Sequence, residues 1–571
     1  MLKDVSGSFH LADDVQRVRC VILAVGLLFA TGRAAAAPPT LSHLFPAGGQ
    51  RGTRVIVTCH GSFSWPIKVW APGLELAPAK ESGKLEVFIP RDLAADRVWI
   101  RLYNAEGASA AVPFLVGNLK EINEQEPNDR PKTAQAIADP NVTINGVLNS
   151  GDVDCFAVPL KAGQTLVAAV DAYARLGSPI DAILQVVSPE GVVLAENHDD
   201  VQLDPRLAFT AAKSGSHVVR IFAFPATAGT EIRFSGGAHS IYRLTLTTGP
   251  FITHAVPLSV PQTAPGSVEL HGWNVPPNTR VPVLPFGGSK RGEYQECEVL
   301  DDLRNSPDAK LGFAFDPRFA GSARVRLTPH AAVAGLAYTD SNNPLTLAPS
   351  TSVTGCLRKA GQTDEFRIAL KKGQPVVVSV ESRSLDFPLD PVVKMTAPDG
   401  TTVADVDGTG ATRDAAFTHV AAKDGVHRLF VGDRYQQGGD RCWYRLTIRM
   451  EEPDFELSSG PDNIVVTPGK PAELSITVQR RTTPAGSIGP INIEVVGLPA
   501  GVTAPALTSE PTGVTAANVT LKFVSTGAAF SGPIRIIGKA TKPKVLQRVA
   551  RTTPKLGAAF ESVWLTAIEK K

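Results

Sequence analysis

Four short blocks of this chain occur twice, in the same order, roughly 210 residues apart. Ala162-Gly163-Gln164-Thr165-Leu166 returns as Lys372-Gly373-Gln374-Pro375-Val376, and Ser188-Pro189-Glu190-Gly191 returns as Ala397-Pro398-Asp399-Gly400. Ala212-Lys213-Ser214-Gly215-Ser216-His217 returns as Ala422-Lys423-Asp424-Gly425-Val426-His427. Ile241-Tyr242-Arg243-Leu244-Thr245-Leu246 returns as Trp443-Tyr444-Arg445-Leu446-Thr447-Ile448. Any fold for this sequence must therefore hold one unit at least twice. The first three blocks carry Gly or Pro turns and the fourth is a run of strand-forming residues, so the repeated unit is built from strands.

The rest of the chain follows the same grammar. Strand patterns at 54–59, 98–103, 166–170, 218–224, 324–327, 474–478 and 534–537 are separated by turns, for which 50 Gly and 45 Pro are available. Long helical patterns are absent after residue 36. At 571 residues the chain exceeds what one core can serve. The expected fold class is all-β, a string of β-sandwich domains, four or five in number.

Charge argues against a nucleic-acid partner. Charged residues make up 20% of the chain and the net charge is +2, whereas such a partner calls for a clustered basic face. The richest basic stretch, 539–555, is diluted with Thr, Pro and Val and reads as a solvated loop. Arg17 and Arg19 precede an apolar run at 20–30, and Ala34, Ala35, Ala36 and Ala37 offer a small-residue cleavage site. Residues 1–36 thus read as a secretory signal. The run is short for a bilayer span, and no membrane span is expected in the mature chain. Five cysteines follow it: Cys59, Cys155, Cys297, Cys356 and Cys442. No Cys-x-x-Cys occurs, which argues against zinc ribbons and dithiol redox chemistry. Cys356 and Cys442 flank the first and last strands of the second repeat and are expected to lie close enough to bridge.

The densest chemistry is in Glu124-Gln125-Glu126-Pro127-Asn128-Asp129, followed by Gly151-Asp152-Val153-Asp154-Cys155-Phe156. Pro127 biases Glu126 towards an extended backbone, which would set Glu124, Glu126 and Asn128 on one face. Asp152 and Asp154 would share a face likewise. Converging oxygens of this kind suit Ca²⁺, which takes 6–8 hard oxygen ligands. The alternative is an acidic, solvated linker ending in an Asn-Asp turn.

These two motifs, with the Ala162 and Ser188 turns, Lys213-Ser214-Gly215 and the closing Tyr242-Arg243-Leu244-Thr245-Leu246, resemble the bacterial pre-peptidase C-terminal (PPC) domain. The resemblance implies a non-catalytic, jelly-roll-like sandwich on a secreted protein. It implies a Ca²⁺ site at Glu124, Glu126, Asn128, Asp129, Asp152 and Asp154. The second repeat departs from the pattern: nothing like Glu-x-Glu-Pro-Asn-Asp precedes it, Thr339-Asp340-Ser341-Asn342-Asn343 standing there instead, and only Asp364 survives of the later pair. It is expected to be metal-free. The remaining segments resemble immunoglobulin-type sandwiches on fold-level analogy. The expected organisation is a signal peptide at 1–36, an Ig/IPT-like domain at 37–117, a PPC domain at 118–249 and an Ig-like domain at 250–348. A diverged PPC-like domain at 349–452 and an Ig-like domain at 453–571 complete it.

No catalytic motif stands out. His-Glu-x-x-His and Gly-x-Ser-x-Gly do not occur. Gly287-Gly288-Ser289-Lys290 lacks the first half of a phosphate loop and reads as a turn. His198-Asp199-Asp200 reads as a polar loop, Cys155 as a packed cysteine, and the six Trp as packing residues rather than a sugar platform. The chain is expected to be no enzyme but an exported binding protein, secreted, periplasmic or at the cell surface, recognising an extracellular polymer or protein. The alternatives are an accessory subunit of a secreted peptidase and a cell-surface spacer.

Overall fold

Strands form here where apolar and polar residues alternate. In Ala472–Arg481, Leu474, Ile476 and Val478 are buried while the residues between them face solvent. The strand Arg97–Tyr103 breaks the alternation and is buried from Arg97 to Leu102. Val98, Ile100 and Leu102 enter one core while Trp99 enters another cluster on the opposite face. A strand covered on both faces loses its polar side.

The computed structural model describes residues 37–227, 229, 233–286, 299–300, 310–329, 331–333, 344–408, 413–483, 486–553, 555–556 and 558–570. The expected signal at 1–36, Cys297, the expected turn at 287–290 and the segment 339–343 lie outside the described residues. Among the described residues no helix is long and apolar enough to cross a membrane.

The fold is all-β. Five pairs of sheets succeed one another along the chain, each around an apolar cluster. These are called the first to fifth sandwiches, with strands within 43–117, 120–247, 251–328, 331–450 and 454–567. The repeat is explicit in the second and fourth. The second contains β1 (Lys120–Asn123), β2 (Gln135–Ala136), β3 (Val142–Val147), β4 (Asp154–Leu160), β5 (Thr165–Asp171), α1 (Tyr173–Leu176), β6 (Ile180–Val187), β7 (Val193–Asn197), β8 (Arg206–Thr210), β9 (Gly215–Pro225) and β10 (Ile241–Thr247). Its sheets run β2-β4-β9-β6-β7 and β8-β5-β10-β3-β1.

The fourth contains β11 (Ala331–Val333), β12 (Leu345–Leu347), β13 (Thr351–Cys356), β14 (Asp364–Leu370), β15 (Pro375–Glu381), β16 (Pro391–Thr396), β17 (Thr402–Asp407), β18 (Ala415–Val420), β19 (Gly425–Asp433) and β20 (Trp443–Met450). Its sheets run β12-β14-β19-β16-β17 and β18-β15-β20-β13-β11, the same order throughout. Local details repeat with the topology. Asp204 accepts the N–H groups of Ala172, Tyr173 and Ala174 at the start of α1, and Asp414 accepts those of Ser382 and Arg383 at the matching 3₁₀ turn Arg383–Leu385.

The first and third sandwiches also match. In each, the leading strand pairs antiparallel with the next long one, His43–Phe45 with Arg54–His60 and Phe251–Val256 with Ser267–Trp273. The chain then steps across, and Gly48–Gln50 and Ser259–Pro261 pair parallel with the last strands Val112–Gly117 and Ala323–Thr328.

The string closes on itself. The fifth sandwich returns to the first, where Trp99 packs edge-on to Phe560 at 5.3 Å and Trp70 to Trp564 at 5.7 Å. The Arg101 guanidinium lies 2.6 Å from an Asp462 carboxylate oxygen, and Lys555 donates to the Ala111 carbonyl at 3.0 Å. Strand Val299–Leu300 pairs with Ala558–Ala559. Between the third and fourth sandwiches, the buried Glu381 carboxylate lies between Arg326 and Arg445. Trp99, Trp443 and Trp564 are consumed in such junctions and offer no platform.

Two sequence expectations fail. The stretch 539–555 is only in part a solvated loop, since 539–540, 546–549 and 551–552 are strand. Its basic residues find separate partners, Lys539 at Glu494, Lys544 at Glu452 and Arg548 at Asp454, because diluted charge pairs locally rather than pooling. Cys356 and Cys442 are both free and buried. Cys356 is the register partner of Trp443, and both pack with Leu258 and Phe387, whereas Cys442 packs in the core of the fourth sandwich. Neighbouring strand residues face opposite ways, so the thiols point to opposite faces of the sheet.

Candidate metal centre

The acidic linker follows β1 at Asn123, and its Asn128 lies beside the start of β4, where its carbonyl meets the Cys155 N–H. The expected alternation of Glu124, Glu126 and Asn128 is not kept, because the linker is no strand. Asp152 and Asp154 do not share a face either, since Asp152 sits in the turn before the strand. Its Oδ2 accepts the Asn149 N–H at 2.9 Å and its Oδ1 the Val153 N–H at 2.9 Å.

The six residues divide into two groups. Glu126, Asp129 and Asp152 come together, one carboxylate oxygen of each lying within 4.8 Å of the others. Burial, followed by the charges of Asp152 and Asp129, raises the Glu126 carboxyl above its usual range. Glu124 and Asp154 instead flank the Tyr242 hydroxyl, which lies 2.8 Å from Glu124 Oε2 and 2.5 Å from Asp154 Oδ2. One hydroxyl proton cannot serve two carboxylates. Burial, and then the Glu124 charge, raises Asp154 to about 9, so the Glu124–Asp154 pair can hold a second proton beside the hydroxyl's own. The Glu124 carboxyl is also raised by burial, against the N–H of Val147 at 2.7 Å.

Asn128 stands between the groups. It is fully buried, its N–H donates to Glu126 Oε2 at 2.8 Å, and its carbonyl accepts the N–H of Cys155 at 3.1 Å. Neither its Oδ1 nor its Nδ2 has a partner, and Asp154 Oδ1 has none. Buried polar atoms are rarely left unpaired. Three clustered carboxylates beside orphaned oxygens on Asn128 and Asp154 form an all-oxygen donor set that fits a hard divalent cation.

The fourth sandwich serves as an internal control. Tyr444 donates to Asp364 Oδ2 at 2.5 Å, matching Tyr242 and Asp154. Gln362, two residues before Asp364, stands where Asp152 stands before Asp154. Its Oε1 accepts the N–H of Lys359 at 3.1 Å, as Asp152 accepts that of Asn149. Its Nε2 donates to Asp364 Oδ1 at 2.8 Å. An amide thus satisfies, within the chain, the oxygen that Asp154 leaves without a donor.

Sequence reasoning passed over the tyrosines and the glycines beneath them. Gly146 and Gly355 are the register partners of Tyr242 and Tyr444, and a Cβ at either would collide with the tyrosine ring. The signal was present, since both Tyr belong to repeated blocks and both Gly precede β3 and β13 endings of like spacing.

No protein-family model matches the chain, and no curated protein does. Among solved structures, the pre-peptidase C-terminal domain of a Bacillus anthracis collagenase is 16% identical over 19% of this chain and 95% of its own, at a TM-score of 0.16. PliG of Aeromonas hydrophila, a periplasmic inhibitor of g-type lysozyme, is 14% identical over 22% of this chain and 96% of its own, at 0.15. The N-terminal four Ig domains of Dscam1 isoform 7.44 are 11% identical over 94% of this chain and all (100%) of theirs, at 0.18. At these TM-scores the likenesses carry no weight for function.

Proposed function

We propose that this chain is a non-catalytic binding protein that acts outside the cytoplasm and recognises an extracellular polymer or protein partner. The observation that carries the reading is an aromatic patch on the outer face of the second sandwich. Along β9, Val219, Ile221 and Ala223 enter the core while Arg220, Phe222 and Phe224 alternate outward. Phe234, 41% exposed, packs on both phenylalanines at 5.1 and 5.6 Å. A cluster of two half-buried rings and one exposed ring on an outer sheet face is an apolar patch of the kind that marks a binding surface. The patch is not part of the repeat: counted from His217 and His427, the positions matching Phe222 and Phe224 are Gly432 and Arg434. The leader pattern around Arg17 and Arg19 supports export.

Calcium at Glu126, Asp129 and Asp152, with Asn128 and the Glu124–Asp154 pair behind them, would tie the acidic linker to β4. The spacer reading fits less well, because a chain whose fifth sandwich folds back on its first gives up reach. The full chain, presented to immobilised polysaccharides and extracellular structural proteins with Ca²⁺, should bind one of them. Phe222→Ser with Phe234→Ser should weaken that binding about tenfold or more. Undiminished binding by this variant would remove the patch from the reading.

A further inference from the structure

Four of the chain's 11 histidines occupy the same two places in the first and third sandwiches. His43 is the register partner of His60, and His254 that of His271. The rings of the first pair stack at 4.2 Å with 8° between planes, those of the second at 5.2 Å with 17°. Each pair sits where its sandwich meets the next one along the chain. His43 is 8% exposed, and its Nδ1 lies 3.2 Å from Nδ1 of His239 in the second sandwich. His254 packs at 5.2 Å against both Phe387 and Trp443 of the fourth, and its Nε2 is buried without a partner.

We propose that the two histidine pairs are a duplicated acid sensor: neutral, they let the first sandwich dock on the second and the third on the fourth, and protonation opens both junctions. Two imidazole nitrogens at 3.2 Å need one N–H and one lone pair, and two imidazolium ions would present donor to donor. Across the second junction a charged His254 would face the cation Arg441, and in each pair the stacked partner adds to the cost of charging the buried ring. The surrounding groups give little relief. Around His43 stand Ser42, whose Oγ is 3.1 Å from Nδ1, and the other two imidazoles. Around the second pair stand Thr253, the cations Arg441 and Arg358, and one acid, Glu269, 3.7 Å from His271 Nε2.

The sign of the effect follows from burial. Desolvation, then the neighbouring imidazoles, lowers His43 to about 4, and desolvation, then His271 and Arg441, lowers His254 to about 3. On opening, both return towards about 6.5. The open state therefore binds more protons, and the closed state loses stability as pH falls from about 6.5 towards these depressed values. Each such histidine raises the opening equilibrium by up to about tenfold per pH unit in its window.

The test uses the full chain. Small-angle scattering, far-ultraviolet circular dichroism and Trp fluorescence, which includes Trp443 beside His254, are recorded from pH 7.5 to 4. The expected result is a rise in radius of gyration below about pH 6.5 with the strand signal unchanged. The double variant His43→Gln, His254→Gln should keep its neutral-pH dimensions across that range. If that variant is unfolded at pH 7.5, the single variants His43→Gln and His254→Gln decide, each being expected to move the opening to lower pH than in the natural chain. Constant dimensions of the natural chain down to pH 4, or opening of a folded variant at the same pH as the natural chain, would overturn the proposal.

Discussion

Replacing Asp152 by Gln imports into the second sandwich the residue that the fourth already uses. The turn should survive, because Gln362 caps Lys359 as Asp152 caps Asn149. Two terms then change. The new amide can donate to Asp154 Oδ1, which is buried and unpaired, and satisfying such an acceptor is worth about 1–3 kcal/mol. One of three mutually repelling carboxylates is also removed, which lifts part of the pressure on Glu126. Without calcium, Asp152→Gln should therefore stabilise the second sandwich by about 1–3 kcal/mol, or about 3–10 °C in its melting temperature. With calcium the gap closes or reverses: the natural chain gains about 2.7 kcal/mol at a hundredfold excess over Kd, and the variant gains almost nothing. Differential scanning calorimetry of both chains, in millimolar CaCl₂ and in EGTA, reads both effects. An equal calcium response from Asp152→Gln and the natural chain would refute the assignment. A variant less stable than the natural chain in EGTA would refute the substitution argument drawn from Gln362.

Three further outcomes follow from the packing. Gly146→Ala and Gly355→Ala should each destabilise their sandwich by about 1–3 kcal/mol in urea denaturation, because the new methyl meets the ring of Tyr242 or Tyr444. Glu381→Ala, which leaves Arg326 and Arg445 buried without their anion, should cost about 3–5 kcal/mol, read by the same denaturation. Burial raises Asp204 to about 7 and Asp414 to about 6. A raised acid favours the folded state while protonated, so its contribution is lost as pH rises from about 4 through these values. Asp204→Asn and Asp414→Asn should flatten that part of the stability profile between pH 4 and 7, and a profile unchanged by either variant would exclude it.

The strands were legible because period-two alternation and Gly or Pro turns are local signals, as in Leu474–Ile476–Val478. The internal repeat was legible because turn residues such as Gly163 and Gly373 must recur wherever the chain reverses in the same way. The site was legible only in part. Glu126, Asp129 and Asp152 announced themselves by charge, but the alternation argument misplaced Glu124 and Asp154 by treating a turn-bearing linker as extended strand. Tyr242 lay hidden because its partners stand across the sheet, and no sequence period links position 242 to 124. The Trp–Phe junction between the first and fifth sandwiches was invisible for the same reason: Trp99 looks the same in sequence whether it enters its own core or a distant domain's.

That junction also sets a schedule for making the protein. Arg97, beside Trp99, donates to the carbonyl of Leu556, 459 residues further on. At about 5–20 residues per second, the partner surface is synthesised roughly 20–90 s later. Throughout that interval the first sandwich exists with Trp70 and Trp99 uncovered, an adhesive face at the leading end of an unfinished chain. Its cover is synthesised later, so conditions that slow synthesis lengthen the period in which two nascent copies can stick through this face, while the folded protein buries Trp99 and part of Trp70.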